Sequence, residues 1–141
     1  MGADIYMFIE HKNPVTNKWN LVKNSKWSHN MVPINRNSGL FHILCGYNKN
    51  DFNEISVICE CKGLPLDIDK EAAFWLEDLA FTSYLSLEEI QNFNWDKEVY
   101  YFEEDCMHSE IACDFYTEII PYMRSVDTNC QNVRIVFGLS L

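Results

Sequence analysis

The sequence has no apolar run that approaches the ~18 residues a helix needs to cross a bilayer. It also lacks the features of a signal peptide, because residues 1–6 contain no basic start and open no long apolar core. No internal repeat and no low-complexity segment is present. We therefore expect a protein of the cytoplasm, where its six cysteines stay reduced.

Positive charge is scarce. The chain has 11 Lys and Arg residues against 21 Asp and Glu residues, and its net charge at pH 7 is −10. Since nucleic-acid backbones are held mainly by Lys and Arg, this balance argues against direct binding to DNA or RNA. It favours a partner that is itself basic, and nucleic-acid-binding proteins are the largest such class. No membrane partner is expected.

Soft metal ligands are present, but not at the spacing of a typical zinc site. Cys59 and Cys61 form one pair, and Cys106 and His108 form another. Residues i and i+2 share one face of a strand, so each pair could reach one ion. Structural zinc sites usually place two to four residues between their cysteines, however. A chain of this length can also fold without a metal, and we predict no metal and no other cofactor.

Length and composition indicate one folded domain over residues 1–141. The hydrophobic fraction of 48% and the aromatic fraction of 14% argue against disorder. Strand patterns cover 4–11, 18–22, 54–61, 81–85, 97–102 and 132–141, and helix patterns cover 38–46, 69–79, 86–92 and 109–126. This order predicts an α+β fold: a mostly antiparallel sheet with helices packed on one face, in a single compact domain.

Several residues mark the ends of the predicted helices. Ser38 is expected to cap the first helix, and Gly46 is expected to end it. Asp69 supplies an acidic cap for the second helix. Ser86 and Glu89 have the three-residue spacing of a capping box, in which each side chain bonds the backbone of the other residue.

Two interruptions are predicted in the second half of the chain. Three consecutive acidic residues at 103–105 should break the strand at 97–102. Pro121 should kink or divide the helix at 109–126, because a proline inside a helix removes a hydrogen bond and clashes with the preceding turn.

Acidic residues are concentrated between Asp67 and Glu118. This stretch holds 15 of the 21 Asp and Glu residues and only two lysines, so its charge is −13, whereas the other residues together carry +3. Carboxylates on a rigid face can imitate phosphates and pair with arginine. The alternative interpretation is that the charge only keeps a small protein soluble. We expect a contiguous exposed face whose partner-binding residues are Glu88, Glu89, Asp96, Glu98, Glu103, Glu104, Asp105 and Glu110.

Residues 1–6 read Met-Gly-Ala-Asp-Ile-Tyr, and residues 133–137 read Val-Arg-Ile-Val-Phe. Between them lie Arg-Asn-Ser-Gly-Leu-Phe-His-Ile-Leu at 36–44, Lys-Gly-Leu-Pro at 62–65 and Ser-Tyr-Leu-Ser-Leu at 83–87. In this order the stretches resemble a group of small bacteriophage and prophage proteins that open Met-Gly-Cys-Asp-Ile-His and close Val-Arg-Ile-Val-Phe. The resemblance spans nearly the whole chain. It implies a phage-related origin, and hence action in the cytoplasm of the host cell.

The chain departs from this group at two histidine positions. The opening histidine of the group falls on Tyr6, and a His-Ser pair falls on Ala80 and Phe81. Imidazole is the side chain best suited to act as a general base or a neutral metal ligand near pH 7, and tyrosine cannot replace it. We therefore assign no catalytic residue, and the protein is expected to act by binding more than by catalysis.

Two functions remain open. In the first, the protein inhibits a host nucleic-acid-binding defence effector, such as a CRISPR nuclease, by direct binding through an acidic, phosphate-mimicking face. In the second, it binds or hydrolyses a nucleotide that serves as a defence signal, because arginine suits phosphate. A basic pocket would favour the second function and a continuous acidic face the first. The ligand-binding residues of the second would be Asp4, Glu10, Arg36 and Arg134.

Overall fold

The computed structural model describes residues 2–141. Its strands form two antiparallel sheets, a sheet of four strands in the order β2-β1-β6-β3 and a hairpin of β4 and β5. The strands are β1 (Asp4–Lys12), β2 (Trp19–Leu21), β3 (Ala80–Ser86), β4 (Glu98–Tyr101), β5 (Glu104–Met107) and β6 (Val133–Ser140). In the part of the chain described, no helix is long and apolar enough to cross a membrane.

The helices are short. They are α1 (Ser38–Cys45), α2 (Lys70–Leu76), α3 (Leu87–Asn92), α4 (His108–Ala112) and α5 (Ile120–Val126). A π-helical turn at Phe115–Ile119 joins α4 to α5, and single 3₁₀ turns lie at Ser28–Asn30 and Cys130–Asn132. Together with the antiparallel sheets these helices confirm the predicted α+β fold.

The central strands β1 and β6 are buried on both faces of the sheet, which explains their nearly continuous apolar sequences. Met7 and Ile9 of β1 contribute to the larger core, which also contains buried residues of α1, α3, α4 and α5. Phe8 points to the other face, where a smaller core includes Ala72 and Leu76 of α2. Most helices therefore lie on one face of the sheet, as predicted, and α2 covers the opposite face.

Three of the predicted helix ends are confirmed. Asp69 caps α2 and accepts a hydrogen bond from the Glu71 backbone N–H. Gly46 ends α1 in the left-handed conformation, with a φ of 79° that a residue with a side chain rarely adopts. Ser86 and Glu89 form the capping box of α3, with both reciprocal hydrogen bonds at 3.0 Å.

The predicted cap of α1 is wrong by one residue. Asn37 is the N-cap, and its Oδ1 accepts a hydrogen bond from the backbone N–H of Leu40 at 3.1 Å. Its Nδ2 donates to the carbonyl oxygen of Ile111 at 2.8 Å. Because an amide has both an acceptor and donors, Asn37 caps α1 and also ties it to α4.

The strand predicted at 54–61 is not formed, although the segment is rich in β-branched residues. Its backbone groups bond elsewhere: the N–H of Ile58 donates to the carbonyl of Ile43 at 2.7 Å. The N–H of Ser56 donates to Nε2 of His108 at 3.0 Å. The segment therefore packs as an irregular chain against α1 and the start of α4.

The strand predicted at 97–102 is present as β4, but the acidic run that follows does not end the sheet structure. Only Phe102 and Glu103 form the turn, and Glu104 pairs with Tyr101 across the hairpin. Both turn residues are left-handed, with φ values of 48° and 69°. Two left-handed residues make the turn that suits a two-residue hairpin, so the chain reverses here without glycine or asparagine.

The helix predicted at 109–126 is divided into α4, the π-helical turn and α5, and its backbone leaves the helical conformation at Cys113, not at Pro121. Cys113 interrupts the helical backbone with a φ of 51° and a ψ of −126°. Pro121 lies in the first turn of α5, which continues directly from the π-helical turn at Phe115–Ile119.

Candidate functional site

Six of the eight predicted partner-binding residues lie on or beside the β4–β5 hairpin, and we call them the acidic hairpin: Asp96, Glu98, Glu103, Glu104, Asp105 and Glu110. All six are exposed. None forms an ion pair with another of residues 2–141. No Lys or Arg occurs between positions 98 and 123. The nearest cation in sequence, Lys97, donates from Nζ to Oγ of Ser56 at 2.9 Å.

The register of the hairpin assigns its carboxylates to faces. Tyr100 pairs with Asp105, and Glu98 pairs with Met107. Because side chains alternate along a strand and cross-strand partners share a face, these four side chains lie on the same side. Glu98 and Asp105 are exposed there, and Tyr100 keeps 64% of its surface accessible. This face therefore combines negative charge with an aromatic ring in contact with solvent.

The hairpin turn is conformationally strained and presents a second aromatic ring. Phe102 is 78% exposed, and it and Glu103 both occupy the left-handed region. For residues other than glycine this region costs about 1 kcal/mol each. Strained residues persist where the surrounding structure fixes them, and they cluster at binding sites. The tip of the hairpin is thus a candidate for contact with a partner.

The opposite face of the hairpin anchors it to the core. Val99 is buried, and Tyr101 packs against α1 at Gly39. A Cβ atom at Gly39 would lie 2.8 Å from the Tyr101 hydroxyl oxygen and 2.7 Å from Cγ2 of Ile111. The missing side chain of Gly39 therefore makes the space in which the hairpin seats.

His108 fixes the base of the hairpin. The ring is completely buried, and its Nδ1 lies 2.6 Å from the carbonyl oxygen of Lys97. Its Nε2 accepts the backbone N–H of Ser56 at 3.0 Å. These partners assign the proton to Nδ1, which donates to Lys97, in a neutral ring. Both ring nitrogens of His108 are therefore bonded to backbone groups. Within residues 2–141, no group of three or more His, Cys, Asp or Glu side chains is arranged to hold a metal ion.

Glu88 and Glu89, the other two predicted partner-binding residues, lie on α3 and have internal partners. Glu88 accepts a hydrogen bond from Nε2 of Gln131 at 3.2 Å. Glu89 belongs to the capping box and pairs with Nζ of Lys62 at 2.9 Å. Partial burial acts to raise the pKa of Glu89, but the hydrogen bonds from the Ser86 backbone N–H and from Lys62 outweigh it and lower that pKa. These two carboxylates serve the fold, and so does Glu110 of the acidic hairpin, whose Oε1 accepts the Met107 backbone N–H at 2.8 Å in the capping box of α4.

The four residues of the nucleotide hypothesis form two separate ion pairs. The first, between Glu10 and Arg134, is buried, with 2.7 Å between Arg134 Nε and Glu10 Oε1. The other oxygen of Glu10 accepts the Asp69 backbone N–H at 2.7 Å. Arg134 also pairs with Asp67 at 3.1 Å and lies 4.0 Å above the ring of Trp19. Burial raises the pKa of Glu10, against the opposing effects of the Asp69 N–H and Arg134.

The second pair joins Asp4 to Arg36 at the surface. Nε and Nη2 of Arg36 donate to the two oxygens of Asp4 at 2.8 and 3.1 Å. The hydrogen bond from Arg36 lowers the pKa of Asp4. Asp4 and Glu10 are six residues apart on β1, which corresponds to ~20 Å along a strand. Each guanidinium is already paired with a carboxylate. Neither Arg36 nor Arg134 is therefore free to bind a phosphate in this geometry.

The structure brings together a groove that sequence reasoning did not find. It has a volume of about 370 Å³ and lies between the loop at 51–55 and the hairpin. The rings of Phe52 and Tyr101 are 6.0 Å apart between centroids, and those of Tyr101 and Phe102 are 4.5 Å apart. The two walls are almost 50 positions apart in the chain, and the loop has no local pattern of its own. The lining residues are Asp51, Phe52, Asn53, Glu54, Ile55, Tyr100, Tyr101 and Phe102.

No protein-family model, no curated protein and no solved structure matches this chain. The chemistry of the surface is therefore the guide to function. Carboxylates that form no ion pair within residues 2–141 flank an exposed aromatic turn, on a hairpin that the core holds in place. Such a surface attracts cations through long-range electrostatic interactions and can bind them through cation–π contacts with the rings.

Proposed function

We propose that the protein binds a basic, nucleic-acid-binding protein through the acidic hairpin and inhibits it by occupying the surface that would hold phosphates. The observation that carries this proposal is the set of six exposed carboxylates, none of them in an ion pair within residues 2–141. Carboxylates accept the paired hydrogen bonds of an arginine fork much as phosphates do.

The anchoring of the hairpin supports this role. His108, Val99 and Tyr101 attach it to the core through buried contacts. A surface that is held in place before binding loses less conformational entropy when the partner arrives. A net charge of −10 also accelerates the encounter with a basic protein, which suits an inhibitor that must act early.

The resemblance to bacteriophage proteins favours a host defence effector as the partner. Effectors that cut or bind nucleic acid, such as CRISPR nucleases, carry the basic grooves that an acidic hairpin can fill. The protein would then act in the cytoplasm of the infected cell. The nucleotide hypothesis has no comparable support, because Arg36 and Arg134 are each paired with carboxylates and lie apart.

The test is a charge reversal on the hairpin, Glu103→Lys with Glu104→Lys. Immobilised protein and variant are used to capture partners from a lysate of the bacterial host, and captured proteins are then assayed for nucleic-acid binding with and without added inhibitor. We expect the wild type to displace nucleic acid from the partner and the double variant to lose this effect, mainly through slower association. Binding of the wild type should weaken as salt rises, because exposed charges are screened.

A matched control is available on the other side of the molecule. Glu77→Lys with Asp78→Lys makes the same change in net charge at two exposed residues that follow α2. We expect this variant to inhibit like the wild type. Equal losses in both variants would mean that only net charge matters, and an intact hairpin variant would exclude the acidic hairpin as the binding surface.

A further inference from the structure

The groove between residues 51–55 and the hairpin differs from the rest of the acidic hairpin because it contains apolar rings as well as charge. Three of its rings form a chain of contacts: Phe52 with Tyr101, and Tyr101 with Phe102. The rings of Tyr101 and Phe102 are inclined at 71°, so they present one face and one edge to each other. A partly exposed group of rings of this kind offers π-faces to a ligand.

The charged residues that line the groove are both acidic. Asp51 and Glu54 are exposed, and neither forms an ion pair within the described part of the chain. Asp51 accepts one hydrogen bond, from Nδ2 of Asn48 at 3.0 Å. None of the eight lining residues is Lys, Arg or His. Aromatic faces and carboxylates are both complementary to a cation.

Two cations beside the groove already have partners. Arg36 lines the adjoining surface together with Phe52 and Tyr101, but its guanidinium is held by Asp4. Lys97 donates to Ser56, the residue after the groove wall. Neither of them neutralises Asp51 or Glu54 through an ion pair.

We infer that this groove binds the guanidinium of an arginine side chain from the partner, which stacks on the rings and pairs with a carboxylate of the groove wall. The inference rests on the proposed function and adds to it the residue that the partner inserts. Arginine is chosen over lysine because its flat, weakly hydrated head group stacks on aromatic rings and forms paired hydrogen bonds with carboxylates. The exposed charges of the acidic hairpin attract the partner, and the groove holds one side chain after docking.

The experiment uses a fluorescently labelled hexa-arginine peptide as the probe and measures its anisotropy as the full chain is added. Phe102→Ala and Glu54→Gln should each weaken binding by about five-fold, the upper end for an exposed cation–π contact or an exposed ion pair. A hexa-lysine peptide should bind the wild type more weakly than hexa-arginine. The matched control is Phe74→Ala on α2, because Phe74 is 73% exposed and Phe102 is 78% exposed, and this variant should bind hexa-arginine like the wild type.

The outcomes separate this inference from the proposed function. If Glu103→Lys with Glu104→Lys weakens hexa-arginine binding but Phe102→Ala and Glu54→Gln do not, the acidic hairpin still binds cations and the groove is excluded. Equal affinity for hexa-lysine and hexa-arginine would also overturn the inference. Amide chemical shifts of the wild type provide a check that needs no variant: hexa-arginine should move the signals of residues 52–55 and 100–102. Chemical-shift changes confined to other surfaces would contradict binding of hexa-arginine in the groove.

Discussion

Two groups of carboxylates in this protein lie in opposite environments, one buried in the core and the other exposed to solvent. Glu10 is fully buried and has a partner at each oxygen, Arg134 at one and the Asp69 N–H at the other. The carboxylates of the acidic hairpin are exposed, and no Lys, Arg or His side chain among residues 2–141 pairs with them. A buried carboxylate without partners would cost several kcal/mol, whereas an exposed one is hydrated and costs little. The buried carboxylate of Glu10 therefore serves the fold, whereas the exposed carboxylates of the acidic hairpin can pair with cations of a partner.

The positions of the two groups explain how they can act independently. Glu10 and Arg134 are directly opposed on neighbouring central strands, and Asp67 and Asp69 bring the chain before α2 to the same point. The acidic hairpin belongs to a separate two-stranded sheet. A change in one group should leave the other largely unaffected, since distant sites without shared partners usually contribute additively.

The largest effect is expected at the buried pair. Glu10→Gln removes the buried charge that faces Arg134 and leaves only the exposed carboxylate of Asp67 beside it. The free energy of unfolding should fall by about 3 kcal/mol, the lower end of the cost of breaking a buried ion pair. Urea unfolding followed by tryptophan fluorescence measures it. Asp4→Asn is the comparison, since it breaks an exposed pair on the same strand and should have a much smaller effect.

A double variant tests the same buried pair. Replacing both partners, Glu10→Met with Arg134→Met, should recover much of the lost stability, because two apolar side chains need no charge compensation. Hexa-arginine binding should stay at the wild-type level in any of these variants that remains folded. A loss of binding in folded Glu10→Gln would show that the two groups are coupled, and the distinction between them would fail.

A moderate effect of opposite sign is expected at the hairpin turn. Glu103 is left-handed, with a φ of 69°, and glycine adopts this region without strain. Glu103→Gly should raise the free energy of unfolding by about 0.5–1 kcal/mol, after allowing for the greater flexibility of glycine in the unfolded chain. It should also weaken partner binding, because a carboxylate is lost.

The control for the turn is Glu103→Ala. It removes the same charge but keeps a side chain that disfavours the left-handed region, so stability should not rise. Binding should fall as far as in Glu103→Gly. Should Glu103→Gly leave the urea midpoint unchanged or lower it, the turn is not strained, and its conformation carries no information about function.

Much of the fold could be predicted because its signals are local. The apolar runs at 4–11 and 133–137 predict buried central strands, and the spacing of Ser86 and Glu89 predicts a capping box. The segment at 54–61 was predicted wrongly because its β-branched residues fit a strand, while its backbone bonds to α1 and His108. Tertiary contacts overrode local preference there.

The candidate site could be predicted in part. Composition indicated an acidic stretch, and six of its eight proposed binding residues do lie on or beside one hairpin. The spacing of Ser86 and Glu89 indicated the capping box, but composition could not show that Glu88 and Glu89 also bond to Gln131 and Lys62, because these partners are distant in sequence. The aromatic groove could not be predicted from the sequence either, since its two walls come together only when the chain folds.

The smallest effect is expected from a change of pH, which acts on the partly buried carboxylate of Glu89. The pKa of Glu89 is lowered in the folded protein, so its ionised form contributes stability that is present above the unfolded pKa and is lost as pH falls through the folded value. The stability difference between wild type and Glu89→Gln should therefore shrink between pH 7 and pH 3, measured as urea midpoints. Partial exposure keeps this difference small. If the Glu89→Gln difference is instead constant between the two pH values, the contact with Lys62 contributes nothing to folding, and Glu89 would return to the carboxylates available for binding.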